Sequence, residues 1–340
     1  MKVYAGIGTH TPFADIAAHV RRVEALGYDG IKVPETVNDG MITAALVAEH
    51  SERLRIVTSI ILAFPRAPMQ LAYSAWGVQQ LAAGRLNLGL GTQVKGNIEG
   101  RYGVPWTPPI PRMREYLQLL QAIFGAFQSG EGVRFEGEQY RITRLQPRFN
   151  PGPIDHPAPS LWLGAVNPAI CRLAGELADG VLTHPTNSSP RYLREVTLAN
   201  IAEGAKRAGR DPSDIELIPS LQLLTGATQA AIDRQREVVR DSMGFWYSTP
   251  PYWPTLQIHG WTELGLELRE LTRAGKWDEM SSLISDDLID ALMPEGTYDR
   301  IADIILEWYG DIVDGVTFPL PEDPAQDEQV VRVIEQLQAG

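Results

Sequence analysis

The sequence predicts an α/β protein built as a closed (β/α)8 barrel. Apolar, strand-like runs begin near residues 3, 29, 54 and 85, a spacing of 25 to 31 residues, and helical periodicity fills each interval. The pattern continues to eight strands, and 340 residues leave room for a barrel of roughly 250 residues with insertions.

Val3 to Gly8 is β-rich and ends in glycine, after which Ile16, Val20, Val23 and Leu26 recur at helical spacing up to Gly27. Gly30 to Val33 is the second strand and Ile42 to His50 the second helix. Leu54 to Phe64 reads as one long third strand, apolar enough for burial on both faces. A helix over 68–83 and a fourth strand over 85–90 follow. Tyr116, Leu120, Ile123 and Phe127 mark the next helix, Gly132 to Thr143 a hairpin, and the five prolines of 147–159 a loop. The remaining strands are expected at 161–163, 180–183, 215–224 and 313–318. Helices are expected at 168–177, 190–208, 229–243, 297–309 and 325–338. The whole chain, 1–340, is expected to be one domain with insertions at about 91–111, 128–159 and 244–294.

Composition narrows the function. Thirty basic against forty-two acidic side chains give a net charge of -12, which repels nucleic acid and anionic membranes. The single cysteine, Cys171, can form neither an internal disulfide nor a multi-thiolate zinc site. No run of 18 apolar residues and no signal-like leader is evident, so a cytoplasmic protein is expected. Walker, G-x-S-x-G and G-x-G-x-x-G motifs are absent, and the six histidines lie at least nine residues apart, so no local metal-binding pair is expected.

In a barrel the chemistry belongs to the loops after the carboxyl ends of the strands. These loops carry His10 after the first strand, Glu35 and Thr36 after the second, and Thr92 to Lys95 after the fourth. Gly164, Ala165, Val166, Asn167 and Pro168 follow the fifth strand, and His184 the sixth. Small residues leading to a proline in a helix's first turn leave the preceding backbone amides free to face an anion, which suggests a phosphate cradle at 164–168. The same segment also reads as a tight turn with an ordinary helix start.

Five stretches together resemble the bacterial-luciferase-like superfamily of flavin- and deazaflavin-dependent oxidoreductases. They are Ala25 to Gly30 with Val33-Pro34-Glu35, Arg55 to Ile60, Leu81 to Thr92, Leu163 to Pro168, and Ala174 to Gly180. Ser248 to Tyr252, Leu256 to Trp261 and Trp277 to Met280 are similar to a subgroup dependent on coenzyme F-420. The resemblance implies a luciferase-like TIM barrel, with the cofactor ring across the carboxyl-terminal mouth and its phosphate after the fifth strand. It further implies a cis peptide at Ser59-Ile60 behind the ring, Glu35 near the ring's polar edge and Thr92 as a ring-contacting hydroxyl. Relatives are often dimers, so a homodimer is implied too. Thr36 replaces a histidine used for proton chemistry in several relatives, and Val94 a glutamate of a sugar-phosphate-oxidising one.

His10 and His184 stand at strand ends, where either can exchange a proton in place of the residue missing at 36. Lys95 and Arg101 are basic loop residues available to an anionic cofactor tail or to solvent. Trp106, Phe245, Trp246, Tyr252 and Trp253 offer amphipathic rings for a lid over an apolar substrate pocket, or for a buried seam. The expected activity is hydride transfer between coenzyme F-420 and a small organic molecule such as a hydrophobic alcohol, aldehyde or enone. Two alternatives stay open: an FMN-dependent monooxygenase supplied by a partner flavin reductase, and a flavin-binding barrel without turnover.

Overall fold

Strand side chains alternate between two faces, so a barrel wall must satisfy an interior and an outer ring of helices at once. The computed structural model describes residues 1–340. Its strands are β1 (Lys2–Gly6), β2 (Gly30–Val33), β3 (Arg55–Thr58), β4 (Ile61–Leu62) and β5 (Leu86–Gly91). The antiparallel hairpin β6 (Phe135–Glu136) and β7 (Arg141–Ile142) follows, then β8 (Ser160–Gly164), β9 (Gly180–Leu182) and β10 (Glu216–Ile218). The last three are β11 (Leu224–Gly226), β12 (Glu295–Thr297) and β13 (Gly315–Thr317). Parallel pairing runs β10-β9-β8-β5-β3-β2-β1-β13. At the seam the Asp314 amide donates to the Leu217 carbonyl (3.0 Å) and the Leu217 amide donates to Asp314 Oδ2 (2.7 Å). Eight strands thus form the barrel, and helices wrap its outside at Ile16–Ala25, Gly40–His50, Pro68–Leu81, Pro109–Ser129, Pro168–Leu177, Ala199–Ala208, Ile301–Tyr309 and Asp327–Ala339.

One sequence device recurs around the barrel. Asp29-Gly30, Asp179-Gly180 and Asp314-Gly315 each open a strand, and each aspartate accepts the amide of a residue on the neighbouring strand, Val3, Leu161 and Leu217 respectively, at 2.7 to 2.8 Å. The glycines face large interior rings. A Cβ on Gly180 would lie 2.3 Å from the Trp162 indole, and one on Gly30 would lie 2.5 Å from the Tyr4 ring. Tyr4, Val57, Trp162, Leu182 and Ile218 fill the barrel's interior. Below them Arg55, Glu216, Lys2 and the Tyr4 hydroxyl form a polar plug at the amino-terminal end.

Three sequence expectations are corrected. The third strand is not continuous over 54–64: it breaks at Ser59 and Ile60, and β4 resumes alongside β5 at Ile61 and Leu62. The seventh does not run over 215–224. It ends at Ile218, and Leu224–Gly226 leaves the barrel to pair with β12 in a separate two-stranded sheet. The helix expected at 229–243 runs Gln229–Tyr247 and is not a barrel helix. Its Ile232, Val239, Met243 and Tyr247 pack with Leu256, Leu268 and Leu288 in a core of their own. The excursion from the barrel therefore begins near Leu224, because the apolar face of that helix is completed by Leu224 and the helical segments after it and not by the barrel sheet.

Candidate active site

At the carboxyl ends of the strands lies a cleft of about 460 Å³, within the range of small-molecule and cofactor sites. Its base is made where the third strand breaks. The Ser59-Ile60 peptide is cis, and the Ile60 side chain rests in the space that two glycines leave open. A Cβ on Gly91 would come 2.1 Å from Ile60 Cδ1, and one on Gly164 would come 3.2 Å from Ile60 Cγ2. Ser59, Ile60, Thr92, Gly164, Ala165 and Val166 all line the cleft.

The expected phosphate cradle is smaller than the sequence suggested. The Asn167 side chain caps helix Pro168–Leu177, accepting the amides of Ala169 (3.1 Å) and Ile170 (3.3 Å). Those donors are spent, and neither Asn167 nor Pro168 lines the cleft. The Ala165 amide is spent on the Leu182 carbonyl (2.8 Å), while those of Val166 and Asn167 donate to no group of the chain. Two free amides at the start of a helix therefore remain to hold an anion.

Glu35 lines the cleft, but its carboxylate already has partners. Oε1 accepts from Arg66 (2.6 Å) and Oε2 from the Leu62 amide (3.2 Å), and Arg66 also reaches Asp39 (2.9 Å). Burial raises the Glu35 carboxyl above its ordinary range, with Arg66 opposing. Glu35 is the only acidic side chain in the lining, which contains no lysine or arginine.

His184 lines the cleft beneath an aromatic roof. Tyr252 stacks on its ring at 4.6 Å and 5°, and Trp246 meets it edge-on at 5.7 Å. The Thr186 amide donates to Nδ1 (3.3 Å) and Thr186 Oγ1 lies 2.9 Å from the same nitrogen; both contacts are met with Nδ1 as acceptor and the ring proton on Nε2, which has no partner in the chain. Desolvation holds the imidazole down at about 4. That direction runs against proton exchange by His184 near neutrality, the role expected of it from the sequence.

The other candidates fall away from the cleft. His10 is exposed on the loop after β1 and does not line it. Trp106 packs edge-on against Phe64 at 6.1 Å, under the loop and outside the lining. Phe245 is 59% exposed and leans on Trp277. Trp253 is tied into the insertion by its Nε1 donating to the Tyr247 carbonyl (2.7 Å). Of the five rings, Tyr252 alone lines the cleft, with Trp246 behind His184. Lys95 is exposed and pairs loosely with Glu99, while Arg101 donates to the Thr36 carbonyl, so neither reaches the cleft.

Two residues absent from the sequence expectations also belong here. Ser220, just past β10, lines the cleft, and its Oγ accepts from Nζ of Lys32 (2.9 Å), which also donates to Thr317 Oγ1 (3.2 Å). Lys32 is only 5% exposed. The signal was present in the sequence: a lysine inside a four-residue strand whose every other position is apolar or glycine.

Comparison with known proteins agrees with this architecture. The family model described as luciferase-like monooxygenase matches residues 1–315. An uncharacterized protein of Mycobacterium tuberculosis is 39% identical over 294 residues, 86% of each chain. The coenzyme F420 dependent tetrahydromethanopterin reductase from Methanopyrus kandleri superposes with a TM-score of 0.78 at 20% identity, covering 99% of this chain and 98% of that one. An F420-dependent secondary alcohol dehydrogenase, solved with an F420-acetone adduct, gives a TM-score of 0.74 at 17% identity over 99% and 98%. With the barrel, the cleft at its carboxyl-terminal mouth and a match spanning most of the sequence in agreement, the chain belongs to the luciferase-like monooxygenase family.

Proposed function

We propose that this protein is an oxidoreductase that moves a hydride between coenzyme F-420 and a small, uncharged organic substrate, an alcohol, aldehyde or enone. The observation that carries the reading is the chemistry of the cleft. Ile60, Leu62, Val166 and Leu182 give it an apolar floor, and its one charged side chain, Glu35, is already paired with Arg66. Such a cleft suits a planar ring and a neutral partner, because a charged substrate would be desolvated with nothing to pair it. The F420-dependent reductase and alcohol dehydrogenase that superpose on this chain support the choice of cofactor.

Ile60 and Ser59 would back the ring, Thr92 would meet its edge, and the free amides of Val166 and Asn167 would take the phosphate. A bound deazaflavin supplies or accepts a hydride at carbon 5 and activates oxygen poorly. The chain's own part is to orient and to dry the site. Tyr252 and Pro251 cover the cleft from the insertion, and the Nε2-H of His184 donates to a carbonyl or hydroxyl oxygen of the substrate.

A parallel fluorescence titration with F-420 and FMN tests the assignment. We expect F-420 to bind at least a hundredfold more tightly than FMN, and alcohols or enones then to change the absorbance of the bound deazaflavin. Preference for FMN, with substrate-dependent oxygen consumption when reduced FMN is supplied, would overturn it in favour of a two-component monooxygenase.

A further inference from the structure

Hydride transfer to a carbonyl leaves an oxygen that needs a proton, and two titratable side chains of the lining, Glu35 and His184, already have partners in the chain. Glu35 is held by Arg66, and His184 is held neutral with Nδ1 engaged. One hydroxyl in the lining is backed by an amine. Ser220 Oγ accepts from Lys32, which leaves its own hydrogen free to point elsewhere.

Lys32 is unusual in its surroundings. Gly6 on β1 and Val57 on β3 flank it in register, and Thr317 on β13 and Ser220 beyond β10 hold its amine. None of these carries a charge. The interior's other ionisable groups, Tyr4 and Lys2 on β1, Arg55 on β3 and Glu216 on β10, bond to one another in the plug at the far end. His19, on the helix outside β1, bonds only to the Gly6 carbonyl. A buried ammonium without a carboxylate loses hydration and gains no Coulomb partner, so burial brings Lys32 down to about 7. An amine so placed gives and takes a proton at neutral pH.

We propose that Lys32 and Ser220 form a proton relay serving the cleft, with Ser220 as the catalytic group that touches substrate and Lys32 as the positioning residue that loads it. The proposal rests on the function proposed above. In the reducing direction the carbonyl carbon gains the hydride of the reduced deazaflavin, and the π pair moves to oxygen. That oxygen takes the Ser220 hydroxyl proton, Ser220 takes one from the Lys32 ammonium, and the neutral amine is reloaded from solvent before the next turnover. In the oxidising direction the substrate hydroxyl proton passes through Ser220 to neutral Lys32 as the hydride leaves carbon for the oxidised deazaflavin.

The chain has five lysines, so their ε-carbons can be followed individually by NMR in protein grown on labelled lysine. We expect one signal to titrate near pH 7 in the cofactor-free protein and to vanish in Lys32→Met. With F-420 loaded, Ser220→Ala and Lys32→Met should each lower kcat at least tenfold, with KM and F-420 affinity within twofold. Ser220→Thr should restore most of kcat, and the limb of the kcat profile near pH 7 should disappear in Lys32→Met. No lysine signal titrating near pH 7, or full kcat in Ser220→Ala across the pH range, would overturn the relay. If the wild-type protein binds no F-420, the function reading falls. The relay is then judged on the cofactor-free protein, where a Lys32 midpoint unmoved in Ser220→Ala would overturn it, and that variant also decides the matter should Lys32→Met not fold.

Discussion

At the scale of single residues, the cleft trades hydration for hydrogen-bonding order. His184 loses water to Tyr252 and Trp246, and in exchange its tautomer is held by the Thr186 amide. Its imidazole sits at about 4, below the ordinary 6.5, so between those values the unfolded chain binds more protons than the folded one. His184 therefore contributes stability that is complete above pH 6.5 and is lost as pH falls through 4. At ~1.4 kcal/mol per pH unit this amounts to roughly 3 kcal/mol. Urea unfolding at pH 7 and pH 4.5 should show that loss in the wild type and a clearly smaller one in His184→Asn; equal losses would mean another group titrates. Glu35 illustrates a limit of reading residues singly. Its place at a strand end marked it as a site residue, and the fold does bring it to the cleft, but Arg66, thirty-one positions away, takes up its carboxylate.

At the scale of elements, the Asp-Gly pairs show how a short motif sets a barrel's register. Each glycine opens space for an interior ring, and each aspartate ties the strand it opens to its neighbour through that neighbour's amide. The pair at Asp314 matters most because it lies at the seam, where Leu217 and Asp314 exchange two hydrogen bonds. Asp314→Ala leaves the Leu217 amide without that acceptor and should cost about 1–3 kcal/mol, read from denaturant midpoints; Asp314→Asn, which keeps an acceptor oxygen, should cost less. The sequence patterns located these strands well, since short apolar runs bounded by glycine need a buried parallel sheet. They misjudged the two longest runs, 54–64 and 215–224, because apolarity alone does not say where a strand must turn to let Ile60 into the cleft or where Leu224 must leave for the insertion.

At the scale of the whole molecule, the insertion builds its own core and then docks on the barrel beside the loop after β9. The Tyr247 hydroxyl donates to the Thr186 carbonyl (3.2 Å), and Ser189 Oγ and His259 Nε2 are paired at 3.1 Å. Tyr252 thereby roofs a cleft whose floor is barrel, so a ligand filling it touches both parts and should stabilise them together. F-420 at a hundred times its Kd should raise unfolding free energy by ~2.7 kcal/mol, seen as an upward shift in Tm with one cooperative transition. Tyr252→Ala should reduce the shift; an unchanged shift would remove the roof from the binding site.

The sequence by itself determined the class of fold, the order of the barrel strands, the acidic surface and the strand ends at which chemistry would gather, since periodicity, charge and glycine placement act over a few residues. Only the tertiary structure decided which of those residues meet. His10, Trp106, Phe245 and Trp253 lie away from the cleft, the Ala165 amide expected to be free is spent on the Leu182 carbonyl, and Lys32 and Ser220, 188 positions apart, come within 2.9 Å. The physical reason is that desolvation and hydrogen-bond partnership are set by what packs around a group in space, and in a closed barrel those neighbours come from strands far apart in the chain.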